Sequence, residues 1–327
     1  MARKDFDAPS LFESAAPELA GEPAGKPAGQ PTGEPTDLER MAAELEASGE
    51  YRVARRLKPR DAYAAPLRAG RRALYIDVET TGIDFPADVI IELSAVPFGY
   101  DPASGEILEV GTPYSSFEDP GRPIPPVVAD LTGITDDMVR GHRIDEALLG
   151  ELARSADLVV AHNAGFDRPF VERRVPAFAG VKWGCSFSDV DWKKAGYRSR
   201  GLEELLLRHA GVFYEAHRAE TDCRAGIHLL ATPFRDGGRP MRQLIDATER
   251  GLVHVWAMGS PFETKDVLRQ RGYRWFAGDK DRQKTWHRLV PDVEIEAERA
   301  WLRDTVYGGK YLAKEEVIDP IRRFAQS

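Results

Sequence analysis

Asp77 and Glu79 stand two residues apart in the apolar, β-prone run Tyr75-Ile76-Asp77-Val78-Glu79, which ends in the turn Thr80-Thr81-Gly82. A strand has a side-chain period of two, so the two carboxylates share a face. Two anions side by side at the end of a buried strand repel each other and lose solvation. A fold keeps such a pair most readily when a divalent cation neutralises it. That chemistry calls for further carboxylates and a proton acceptor. The run Val160-Ala161-His162-Asn163-Ala164-Gly165-Phe166-Asp167 reads as a strand passing into a helix, with Asp167 in the first helical turn. In His217-Arg218-Ala219-Glu220-Thr221-Asp222 a histidine precedes an aspartate by five positions. Five helical steps turn through ~500° and would set the two on different faces. They converge only if His217 lies in a loop before the helix, a reading that Gly211 and Phe213-Tyr214 favour.

The elements that must position these residues follow from periodicity and turn chemistry. Residues 70–232 read as one α/β domain. Strands are expected at Arg72–Val78, Asp88–Val96 and Ile107–Pro113, with links short enough for antiparallel hairpins. Helix Asp145–Arg154, strand Asp157–Ala161, helix Phe166–Arg174 and strand Val181–Ser186 then alternate. Two helices follow, Leu202–Leu207 ending at Gly211, and Glu220–Ala231. Antiparallel strands first and αβ alternation later predict a mixed sheet with helices on both faces. Before this domain, residues 1–36 carry a period-four Gly/Pro repeat and read as a disordered tail, and 37–69 as a helical lead-in with Asp37 as its cap. After it, 233–250 reads as a linker with a short helix, 251–310 as a small α+β module and 311–327 as a tail.

The three clusters, in this order, resemble the DEDDh branch of the DEDD 3′→5′ exonucleases, whose members include the proofreading epsilon subunit of bacterial replicative polymerase and ribonuclease T. Asp77-Val78-Glu79-Thr80-Thr81-Gly82 carries the first motif, His162 to Asp167 the second, and His217 with Asp222 the third. Leu131-Thr132-Gly133-Ile134-Thr135 is similar to a segment common in epsilon-type members. The resemblance spans residues 70–232. It implies an α/β, ribonuclease H-like mixed five-stranded sheet and two-metal hydrolysis of phosphodiester bonds at nucleic-acid 3′ ends. It places Asp77, Glu79 and Asp222 on one ion, and Asp77 with Asp167 on the second. Hard carboxylate oxygens suit Mg²⁺ or Mn²⁺, two ions in all. An imidazole, with an ordinary pKa of ~6.5, suits His217 as general base. The backbone of Thr80, Thr81 and Gly82 would meet the terminal nucleotide, and Asn163 and Phe166 the strand.

Composition limits the alternatives. The net charge is −8, so phosphate contact must come from local basic patches. Two cysteines, Cys185 and Cys223, fit neither a disulfide framework nor a zinc site, and Cys223 reads as a small core residue. No signal peptide or membrane span is legible, which makes a cytoplasmic protein the expectation. His162 reads as structural, and Glu92 as a partner for an arginine or a cap. Four of the six tryptophans follow residue 250, and eight basic residues face three acidic ones between Lys265 and Arg288. That module reads equally as a strand-binding surface and as a core of Trp256, Trp275, Trp286 and Trp301, with protein docking also open. For the whole chain, DNA is favoured over RNA as substrate, with a polymerase or repair partner. An exoribonuclease and a non-catalytic nucleic-acid-binding adaptor are the alternatives.

Overall fold

A computed structural model describes residues 36–280 and 282–325. The repeat-bearing tail lies outside the described residues except for Thr36. The chain opens with helix α1 (Asp37–Ala47) and the short strand β1 (Arg55–Arg56). It continues through β2 (Arg71–Thr80), β3 (Ile90–Tyr100), β4 (Ile107–Val110) and β5 (Tyr114–Phe117). Helices α2 (Pro126–Thr132), α3 (Asp136–Val139) and α4 (Glu146–Ser155) follow. Next come β6 (Leu158–Ala161), α5 (Ala164–Arg174), β7 (Trp183–Cys185), α6 (Leu202–Leu205), β8 (Val212–Phe213), α7 (Ala219–Ala231) and α8 (Pro240–Glu249).

The large sheet runs β4-β3-β2-β6-β7. β2 is antiparallel to β3 and parallel to β6, and β6 is parallel to β7. The mixed α/β, ribonuclease H-like arrangement read from the sequence is therefore present. β5 adds a sixth strand, also on β3, because the expected third strand breaks at Gly111-Thr112-Pro113. Alternate residues of β2 feed two cores. Leu74 and Ile76 pack with Leu149 of α4 and Phe170 of α5. Ala73 and Tyr75 pack with Cys223 and Ile227 of α7 and with Met241 and Leu244 of α8. Asp77 and Glu79 continue the Tyr75 face, towards α7. Close approach of α7 depends on Gly226, where a Cβ would lie 2.0 Å from the Tyr75 ring.

Three stretches differ from the sequence reading. The short helix expected within 233–250 is Pro240–Glu249, but it is part of the core rather than of a linker, with Met241, Leu244 and Ile245 buried against the large sheet. Pro240 does not break this helix, because it occupies the first turn, where no N–H is needed. Thr36, not Asp37, caps α1 by accepting from the Glu39 amide. The supposed tail supplies a strand to a second sheet. That sheet is built from β9 (Leu252–Ala257), β10 (Arg274–Phe276), β11 (Thr285–Pro291) and β12 (Lys314–Ile318), with helices α9 (Lys265–Gln270) and α10 (Ile295–Trp301). Its core is mainly aliphatic, centred on Val253, Val255, Leu268, Val290 and Leu302, with Tyr273 among them. Trp286 and Trp301 only border it, and Trp275 is exposed. Trp256 is buried among other rings, stacked on His254 and His287 under the Arg282 guanidinium. No helix among the described residues is long and apolar enough to cross a membrane.

Candidate active site

β2 pairs with β6 only through Ala73–Tyr75. Beyond that point β6 turns into α5, and a crevice opens at the carboxyl ends of two parallel strands, where α/β sheets commonly place their sites. Asp77 and Glu79 point into it from β2, and Asp222 from the first turn of α7. Carboxylate oxygens of Asp77, Glu79 and Asp222 all lie within 4.8 Å of one another, a spacing that one cation could bridge. Asp167 enters from the first turn of α5 and is fully buried. It stands outside that trio, yet among the charged groups it acts most strongly on Asp77.

The electrostatics are those of uncompensated anions. Burial, followed by the charges of Asp167, Asp222 and Glu79, holds the Asp77 carboxyl well above the usual carboxylate range. Burial with Asp222 and Glu92 pushes Glu79 up to about 7, against the pull of Arg218. Asp167 is likewise raised by burial, although its own amide and that of Val78 oppose the shift. Asp222 is raised by burial and pulled back by hydrogen bonds from Tyr214 and the Arg218 amide. A group of carboxylates that gains protons so readily is one that would gain a divalent cation in their place.

His217 lies in the loop just ahead of α7 and takes a left-handed φ of 68°. Its backbone hydrogen-bonds to Asp222, and it lines a hollow of about 440 Å³ with Asp222, Tyr214, Gly201 and Leu202. Two features of this loop were only partly legible in the sequence. Glu92 of β3 does both things expected of it. It pairs with the Arg218 guanidinium, Nη2 to Oε1 at 3.0 Å, and accepts from the Ala219 amide at 3.1 Å, which caps α7. Tyr214 donates to Asp222 Oδ1 at 2.7 Å. The sequence marked Phe213-Tyr214 only as a sign of a loop, because the contact with Asp222 requires the segment between β8 and α7 to fold back.

The other candidates divide. The Thr81 hydroxyl donates to Asp88, and its amide donates to the Val89 carbonyl. Its polar groups are thus engaged within the protein. The Thr80 hydroxyl bonds to the Gly82 carbonyl. Asn163 is exposed at φ 78° at the start of α5, whereas Phe166 is half-buried against Phe170. Cys223 is buried in the core, as read. His162 is tied into the structure. Its Nε2–H donates to the Arg200 carbonyl at 2.8 Å, so Nδ1 must accept from the Ser186 hydroxyl at 2.9 Å. Ser186 in turn accepts from the Tyr75 hydroxyl at 2.8 Å. Burial lowers the His162 pKa to about 4, which keeps the ring neutral in this chain of bonds.

Comparison with known proteins bears on the same segment. Residues 74–230 match the exonuclease family model RNase_T. The DNA polymerase III subunit epsilon of Treponema pallidum is 30% identical over 164 residues, which cover 48% of this chain and 73% of that protein. The PolC-type DNA polymerase III of Listeria welshimeri is 41% identical over 171 residues, 49% of this chain but 11% of the polymerase. The chain therefore spans about a tenth of the length of the PolC-type relatives it matches. Among solved structures, exonuclease X in complex with 5′-overhanging duplex DNA is 25% identical, with a TM-score of 0.40 over 54% of this chain and 98% of that one. Exonuclease I of E. coli in complex with an oligonucleotide is 17% identical, with a TM-score of 0.42 over 68% and 63%. With the epsilon subunit matched over most of its length and the family model matched across the segment that builds the acidic crevice, this chain belongs to the exonuclease family.

Proposed function

We propose that this chain is a metal-dependent 3′→5′ exonuclease that removes nucleotides from single-stranded or frayed 3′ ends of DNA in repair or proofreading. The observation that carries this reading is the convergence of Asp77, Glu79 and Asp222 within 4.8 Å, with Asp167 beside Asp77. DNA is favoured because the relatives are named as DNA polymerase III proteins, which also makes a polymerase or repair partner the expectation.

The donor set is all carboxylate and fits Mg²⁺ or Mn²⁺. Asp77, Glu79 and Asp222 would hold one ion, and Asp77 with Asp167 would border a second. Bound there, the two ions would neutralise the carboxylates and stabilise charge on the attacking and leaving oxygens of an in-line displacement. The remaining work falls to the chain. Tyr214 and the Arg218 amide fix the two oxygens of Asp222. Glu92 draws Arg218 and the start of α7 together, which sets the position of the His217 loop. His217, exposed at the mouth of the hollow, accepts the proton of the attacking water. Gly82, half-buried, and Asn163, exposed, would meet the end of the strand.

Matched 3′-labelled and 5′-labelled DNA and RNA oligonucleotides, incubated with Mg²⁺ and then with a chelator, test this reading. The expected result is chelator-sensitive loss of nucleotides from the 3′ end, faster on DNA. Removal from the 5′ end, or cleavage that survives chelation, would contradict it.

A further inference from the structure

In a chain of net charge −8, the second half of the loop between β7 and α6 carries only basic charge. Between Asp191 and Glu203 there are four basic residues, Lys193, Lys194, Arg198 and Arg200, and no acidic one. All four are exposed, and none forms an ion pair among the described residues. The basic run of the second sheet differs. There Arg271 and Arg288 share Glu298, Arg269 pairs with Asp266, and Arg282 with Glu316.

The loop is held at both ends. Trp192 is fully buried, and the Tyr197 hydroxyl donates to His209 Nδ1 at 2.9 Å while His209 Nε2–H donates to the Thr232 carbonyl. At the far end, the bond from His162 fixes the Arg200 carbonyl, and the Arg200 guanidinium lies 4.1 Å from the Phe187 ring centre. Cations on a pinned loop lose little entropy when a ligand arrives.

This loop forms one wall of a groove of about 1080 Å³, and Arg288, Pro291 and Glu294 border its other side. Arg323, in the segment after β12, pairs with Asp189 at the start of the loop and donates to the Ala247 carbonyl of α8 at 2.9 Å, which ties that segment to the first domain. The groove and the acidic hollow meet at one peptide bond. Arg200 lines the groove, and Gly201 lines the hollow with His217 and Asp222. Asp191 and Glu294 also border the groove, so its cationic wall, not its whole lining, complements a polyanion.

The geometry points to a track for the strand behind the terminal nucleotide: the sugar–phosphate backbone leaves the acidic hollow past Arg200 and runs along Arg198 and Lys193. The inference rests on the exonuclease reading and extends it to a second binding surface. It also supplies a local attraction for a polyanion that the overall charge of −8 does not. Contacts of this kind are made to phosphate and carry no sequence preference.

The double variant Lys193→Gln/Arg198→Gln, with both changes on exposed side chains, tests the track. Wild type and variant are compared in Mg²⁺ on a dinucleotide, which reaches only the hollow, and on a strand of about 20 nucleotides. The variant should hold dinucleotide kcat/KM within about twofold, while KM for the long strand rises on the order of tenfold. The slope of log KM against log salt should fall by roughly 1.4, about 0.7 for each phosphate that the variant no longer neutralises. An unchanged KM and salt slope on the long strand would overturn the track. If wild type cleaves neither substrate, the exonuclease reading fails by itself. Fluorescence anisotropy of the labelled strand in chelator then decides the track: tighter binding by wild type upholds it, and equal binding overturns it.

Discussion

Replacing Glu79 with Gln should stabilise the metal-free protein, although Glu79 belongs to the proposed metal site. The Glu79 carboxyl is pushed up from 4.5 to about 7, chiefly by burial and then by Asp222 and Glu92. The sign follows from linkage. Below pH 4.5 the group is protonated in both folded and unfolded chains and contributes nothing. Between pH 4.5 and about 7 the folded state keeps a proton that the unfolded state has released, so stability falls as pH rises. Above that window the full cost applies, about 3 kcal/mol for a shift of this size. Gln keeps the shape and removes the charge. At pH 8 in chelator, Glu79→Gln should therefore unfold later than wild type by about 3 kcal/mol, or roughly 6–12 °C for a domain of this size. At pH 4 the two should coincide. Adding Mg²⁺ or Mn²⁺ at pH 8 should raise the wild type more than the variant, because the variant lacks one of the ligands. Urea and thermal denaturation at the two pH values give the numbers. A variant no more stable than wild type at pH 8 in chelator, or a gap that persists at pH 4, would refute the reasoning.

Other outcomes follow from the same geometry. Asp77→Asn should abolish strand cleavage while circular dichroism and the chelator melting point show an intact fold; measurable turnover would remove Asp77 from the metal site. His217→Ala should lower kcat by roughly 10²–10⁴-fold without weakening Mn²⁺ binding by calorimetry, since the imidazole is assigned to the proton and not to the ion. Gly226→Ala drives a Cβ into the Tyr75 ring and should cost at least about 2 kcal/mol in a urea titration; a smaller loss would mean that α7 can lift from β2.

Much of the site was legible because its signals are local. Period two placed Asp77 and Glu79 on one face, and the turn count between His217 and Asp222 required a loop before α7. What was missed depends on contacts between distant parts of the chain. Lys314–Ile318 is a mostly exposed edge strand rich in charge, and only its pairing with β9 shows it to be more than a tail. Residues 233–250 read as a linker with a short helix, and only the packing of Met241, Leu244 and Ile245 shows that helix to belong to the core of the large sheet. The tryptophans after residue 250 suggested a core, but the second sheet buries aliphatic residues on one face and sets Trp256 among the rings of the other. Glu92 was read as a partner for an arginine or a cap, and which arginine required the register of β3 against the loop before α7. The cationic loop had a sequence signal, four basic residues with no acid between Asp191 and Glu203, but its position beside the acidic hollow did not.

The most direct measurement is anomalous diffraction from a crystal soaked in Mn²⁺. The account predicts two peaks ~3.5–4 Å apart, one in contact with Asp77, Glu79 and Asp222 and the other between Asp77 and Asp167. Ions bound only elsewhere, or no ion at these oxygens at millimolar Mn²⁺, would contradict it.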